Sequence, residues 1–153
     1  MPKKLTFIKI HLNDAIAIAN LANILPEEVL GISGLESGWG DGRFAVEGNN
    51  FFSLHAPAPY ETGTITAKGD AKVQVAKFAS YLDSGKAFAN SKKGHLIKGI
   101  KDPVHFATVL QKYCGFGWEP DPSDSKHKRY RPVANYVHDV SITINSIAAI
   151  LKH

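Results

Sequence analysis

Toward the end of the chain, apolar residues recur at steps of three and four: Val133, Val137, Val140, Ile144, Ile147 and Leu151, widened by Tyr136 and Ile150. That spacing predicts a core-facing helix, opened by Pro132. Its other face, with Asn135, Asp139, Ser141 and Asn145, is polar but not basic, which argues against a helix lying on a membrane. Near the start, Asp14 is placed to cap a helix running to about Leu25. Pro26 then suits the first position of a second helix, and Glu27 and Glu28 favour its positive end. That helix reads PEEVLGISGLESG, with Gly38 as its stop. Residues 62–66 and 73–78 alternate as two strands, joined by a turn at Ala67-Lys68-Gly69-Asp70. Asp102 and Pro103 open a further helix that ends at Gly115. These elements predict an α+β domain, mainly helical, spanning 1–153, with a helical lobe and a small β-hairpin lobe flanking a cleft.

Composition narrows the class of molecule. Hydrophobic residues at 44% and charged residues at 21% are ordinary for a globular domain, so disorder is not expected. The net charge of +4 favours anionic polymers: nucleic acid, acidic lipid or bacterial wall. Arginine occurs only at 43, 129 and 131, and no nucleic-acid motif is present, so nucleic acid is not the expected partner. The run Lys126, His127, Lys128, Arg129 and Arg131 reads as a solvated loop. Cys114 is the one cysteine, which excludes an internal disulfide and multi-Cys metal sites; its apolar setting predicts burial. The seven histidines lack zinc spacing, and no glycine-rich phosphate loop is present, so neither metal nor cofactor is expected. No cleavage site follows the first apolar residues and no stretch is long enough to span a membrane. The expectation is synthesis in the cytoplasm without a signal peptide.

Glu36 is the candidate for chemistry. It lies four residues after Ile32 and seven after Val29, on the apolar face of the second helix. A carboxyl buried there keeps its proton more readily and can donate it to a leaving oxygen. Periodicity alone leaves a second reading open, in which Glu36 sits solvated at the helix rim. Gly38, Trp39 and Gly40 follow it. Glycine permits close approach of a ligand to the backbone, and Trp39 is either a flat face for a sugar or a core residue.

Glu36-Ser37-Gly38-Trp39-Gly40, followed by Gly48-Asn49-Asn50-Phe51-Phe52-Ser53-Leu54, resembles the glucosaminidase family of bacterial peptidoglycan hydrolases. That family includes flagellar rod-associated hydrolases and autolysins. Lys77-Phe78 with Tyr81 is similar to its Lys-Phe-Arg-x-Tyr segment, and Gly115-Phe116-Gly117-Trp118-Glu119-Pro120 to its Gly-Tyr-Ala-Thr-Asp-Pro. The resemblance covers Val29 to Tyr136. It implies a lysozyme-like fold and hydrolysis of a β-1,4 bond of the peptidoglycan glycan strand, after N-acetylglucosamine. Glu36 carries over as the general acid, and Asn50 and Phe52 as cleft residues. Trp39, His55, Tyr81 and Phe116 complete the expected substrate-binding set. Asn50→Ala is expected to weaken activity with little loss of stability.

The chain departs from the family at three places. A second Glu stands on the family's hairpin; counting back from Phe78 places Ile65 there. Glu61, Glu47 and Asp70 are the nearest carboxylates, and Glu61 is the expected partner because it begins the hairpin. Phe116 lacks the hydroxyl of the family's tyrosine, and Ser53-Leu54-His55 replaces Gly-Ile-Lys. These changes keep three alternatives open: a muramidase, a lytic transglycosylase using Glu36 as acid and then base, and a catalytically dead wall-binding module. Two settings suit such a domain, a phage lysin or a secreted antibacterial effector. Either would act as a monomer in the periplasm or wall, and the effector would require an immunity protein. No membrane partner is expected.

Overall fold

The structure, a computed structural model, describes residues 3–69, 72–126 and 129–152. The first helix, α1 (Lys3–Ala22), begins well before Asp14, which lies in its interior. Phe7, Ile8, Ala15, Ile18, Ala19 and Ala22 are all buried along it. Their packing carries the helix through the polar residues near His11, overriding the local capping signal. The second helix, α2 (Pro26–Glu36), matches its prediction: Pro26 is in the first turn, and Gly38 (φ +59°) lies two residues past the end.

A short α3 (Arg43–Gly48) leads to the hairpin of β1 (Gly63–Thr66) and β2 (Gln74–Lys77). These strands pair antiparallel, with Gly63 opposite Lys77 and Ile65 opposite Val75. Gly69 lies in the connecting turn at φ +81°; Asp70 lies outside the described residues. The segment 54–56 adds a third edge to this sheet. Ala56 N–H donates to the Gln74 carbonyl (2.9 Å), Ala76 N–H donates to the Leu54 carbonyl (3.1 Å), and His55 stands opposite Val75.

Three helices follow: α4 (Tyr81–Asn90), α5 (Lys92–Ile97) and α6 (Pro103–Tyr113). Ser80, Ser91 and Asp102 cap them, accepting from the N–H groups of Asp83, Gly94 and His105. A second small ladder joins β3 (Trp118–Pro120) and β4 (Tyr130–Pro132), and α7 (Tyr136–Leu151) closes the chain. Pro132 therefore ends a strand rather than opening the last helix. Its missing N–H is tolerated in a two-stranded ladder, where each strand has a free edge. Asn135, at φ +62°, then turns the chain into α7.

One hydrophobic core runs through the helices and under the hairpin. Within it α1 packs on α2 and α4, while α2 and α6 pack on α7. Gly31 lets α2 approach α7 closely: an added Cβ would lie 2.9 Å from Ile144 Cγ1. Cys114 is buried, as expected. Lys126, Arg129 and Arg131 of the basic run are exposed; His127 and Lys128 lie outside the described residues. Among the described residues no single helix is long and apolar enough to cross a membrane.

Candidate active site

Glu36 is the last residue of α2, and its setting is built by the turn that follows. Ser37 Oγ donates back to the Ser33 carbonyl (2.6 Å) and accepts from Gly40 N–H (3.0 Å). Gly38, Trp39 and Gly40 all have positive φ, and Trp39 N–H donates to the Gly34 carbonyl at 2.7 Å. The indole thus folds back onto α2. A Cβ at Gly34 would fall 2.2 Å from the ring, so Gly34 is what admits Trp39.

The Glu36 side chain is half-buried. Ser53 Oγ donates to its Oε2 at 3.0 Å. Burial pushes the Glu36 pKa up; the Ser53 hydrogen bond and the positive charge of Lys93 pull it partly back. Ser53, at φ +53°, lines a depression of about 180 Å³ with Phe44, His55 and Val75. His55 also lines a larger depression of about 310 Å³, which continues to Ser91, Lys92 and Lys93. The two share His55 and form a groove that meets Glu36 through its hydrogen-bond partner Ser53; Glu36 itself is not among the lining residues.

The expected substrate residues divide sharply. His55 is exposed in the groove. Trp39 packs edge-on against Phe7 (5.6 Å) and lines a separate depression beside α1, which shares no residue with the groove. The structure corrects the expectations for Asn50 and Phe52. Asn50 is 3% exposed; its Nδ2 donates to the Leu54 and Ala76 carbonyls (2.8 and 2.9 Å), and its Oδ1 accepts from Phe52 and Leu54 N–H (3.4 and 3.1 Å). With its amide so committed, it has little to offer a ligand. Phe52 is fully buried and stacks on Phe88 at 5.0 Å. Tyr81 is also buried: its hydroxyl meets Ser33 Oγ at 2.9 Å, and its ring stacks on His11 at 4.1 Å. Phe116 is buried too, with the Lys93 ammonium 4.5 Å above its ring. These four shape the site from beneath.

The hairpin offers no carboxylate at the position the family uses. Ile65 is there, buried beside Val75. Glu47 is exposed and pairs with Arg43 (2.9 Å), and Asp70 lies outside the described residues. Glu61 precedes β1, and its Oε2 is buried with no hydrogen-bond partner.

Sequence reasoning missed Lys93 and the importance of Ser53, and placed Tyr136 only on the core-facing stripe of the last helix. Lys93 is half-buried; burial lowers its pKa, while Cys114 and Glu36 raise it. Tyr136 packs on Gly117, where a Cβ would lie 2.4 Å from its ring, and its hydroxyl is buried without a partner. Burial raises the Tyr136 pKa, and the charges of Glu36 and Cys114 add to the rise. No local motif marks Lys93 or Tyr136, because they reach the site from α5 and α7. Among the described residues, no group of His, Cys, Asp or Glu side chains could hold a metal ion.

Comparison with known proteins agrees with this geometry. The glucosaminidase family, described as mannosyl-glycoprotein endo-beta-N-acetylglucosaminidase, matches residues 12–148. A chain of a type VI secretion system effector-immunity complex from Pseudomonas protegens is 30% identical over 96% of this chain and 94% of that one, with a TM-score of 0.74. A peptidoglycan hydrolase from Sphingomonas sp. A1 is 20% identical over 95% of this chain and 90% of that one (TM-score 0.66). The catalytic domain of the autolysin Auto from Listeria monocytogenes is 18% identical over 97% and 86% (TM-score 0.63). These last two share the fold. No curated protein matches the chain.

Proposed function

Because the chain belongs to the glucosaminidase family of glycoside hydrolases, we propose that it cleaves the β-1,4-linked glycan of peptidoglycan, with Glu36 as general acid. The observation that carries this reading is the Glu36 carboxyl, raised in pKa by burial and hydrogen-bonded to Ser53, which lines the groove. A protonated Glu36 donates its proton to the leaving glycosidic oxygen as the bond breaks, and so avoids an alkoxide leaving group. Glu61 is the proposed second carboxylate. Its buried, unpaired Oε2 supports it over Glu47, which is neutralised by Arg43. Ile65 at the hairpin position favours a second reading, in which Glu36 serves alone as acid and then base and leaves an anhydro end.

Digestion of purified peptidoglycan by the protein and by Glu36→Gln, with products reduced and identified by mass spectrometry, tests both. Reduced N-acetylglucosamine ends, absent with the variant, are the expected result. Reduced N-acetylmuramic ends would mark a muramidase, and anhydro ends the single-carboxyl route. No release by either protein from several wall types would overturn the enzymatic reading in favour of a wall-binding module.

The biological setting proposed is an antibacterial effector acting in the periplasm of a target cell. The 30% identity to a chain of an effector-immunity complex supports this over a phage lysin. A cognate immunity protein would then cover the groove. Expression directed to the periplasm should lyse a bacterial host, and cytoplasmic expression should not. Equal toxicity in both compartments would contradict a wall target.

A further inference from the structure

The groove that Ser53 lines beside Glu36 carries two lysines, and among the described residues no carboxylate lies within ion-pair distance of either. Its larger depression is lined by His55, Ser91, Lys92 and Lys93 over an apolar floor that includes Leu54 and Ala87, and no carboxylate is among its lining residues. Lys93 is half-buried, and its ammonium is held 4.5 Å above the Phe116 ring, which fixes it in place. Neither lysine has an ion-pair partner among the described residues. Lys93 feels the charge of Glu36 only when that acid has lost its proton, so while Glu36 is protonated this partly desolvated cation favours an anionic ligand.

We propose that this depression is a carboxylate subsite, in which Lys92 and Lys93 hold an acidic group carried by the glycan strand next to the bond being cut. The inference rests on the peptidoglycan reading above. In that polymer the lactyl carboxyl is tied up in the amide bond to the peptide, so the free carboxylates are those of the attached peptide. Occupancy also acts on the chemistry. An anion on Lys93 offsets the positive charge that lowers the proton affinity of Glu36, so a bound strand leaves the acid better protonated.

The test compares kcat/KM on two strands: intact peptidoglycan and the same material with its peptide carboxyls amidated. Intact strands should exceed their amidated form by about tenfold, the size of one partly exposed charge-assisted contact. Lys92→Met with Lys93→Met should bring that ratio close to one, and Lys93→Arg should largely restore it; thermal melting checks that each variant is folded. Equal rates on intact and amidated strands, or a double variant that keeps the discrimination, would overturn the subsite while leaving the hydrolase standing. Failure of the unmodified protein to cut either peptidoglycan strand would instead remove the reading on which the subsite rests.

Discussion

The two ends of α2 each carry a carboxyl with a raised pKa, and they do different work. At the first turn, Glu28 is completely buried; its Oε1 accepts from Leu25 N–H at 2.8 Å, and burial above all pushes its pKa up to about 7. At the last turn, Glu36 is raised by the same cause but is half-buried and bonded to Ser53, which lines the groove. Glu28 holds its proton where no ligand reaches it, and so serves the helix start. Glu36 holds a proton that can leave. A perturbed carboxyl therefore does not identify a catalytic group by itself; access separates the two.

Four variants sharpen or break this contrast, from the largest expected effect to the smallest. Glu36→Gln keeps the shape and removes the acid, so kcat should fall by about 1,000-fold with little change in melting temperature. Retention of near-normal turnover would end the assignment. Asn50→Ala should cost roughly 2–4 kcal/mol of stability in urea denaturation, because buried carbonyl and N–H groups lose their partners. An unchanged midpoint with weakened substrate affinity would return Asn50 to the groove.

Glu28→Gln should act on stability alone. The folded pKa near 7 stands above the ordinary value of 4.5, so the stabilising contribution of protonated Glu28 is complete below about pH 4.5 and is lost as pH rises through 7. The loss is on the order of 3 kcal/mol. The variant should flatten that pH dependence while the pH profile of kcat keeps its shape; a changed profile would tie Glu28 to the chemistry. Ser53→Ala should do the reverse. Without the hydrogen bond that favours the Glu36 carboxylate, the pKa rises further, and the alkaline limb of the kcat profile should move to higher pH. A shift to lower pH would show that Ser53 does not hold the charged form.

Which features were readable from sequence follows from where their causes lie. Pro26 and Gly38 frame α2 through local backbone chemistry, and the Asp102 cap works the same way. The phase of Glu36 with Val29 and Ile32, both fully buried, left burial and a solvated rim equally open, and the structure makes the residue half-buried. The early start of α1 was hidden, because its cause is the packing of Phe7 and Ile8 against distant residues. Ser80 and Ser91 were legible caps that the strength of the hairpin pattern obscured. Asn50 and Phe52 belong to a motif read as groove lining, yet they face inward; a motif gives residue types and spacing, not side-chain direction. Lys93 joins Glu36 only through the tertiary fold.

The four hydrogen bonds of Asn50 have a mechanical consequence. They clamp the chain on both sides of Ser53 and fasten it to β2 through the Ala76 carbonyl. Ser53 cannot drift from Glu36 without straining the hairpin, and the hairpin cannot swing without pulling on Ser53. Groove width and acid strength are geared together, so a strand that spreads the groove also loosens the hydrogen bond that restrains the proton donor.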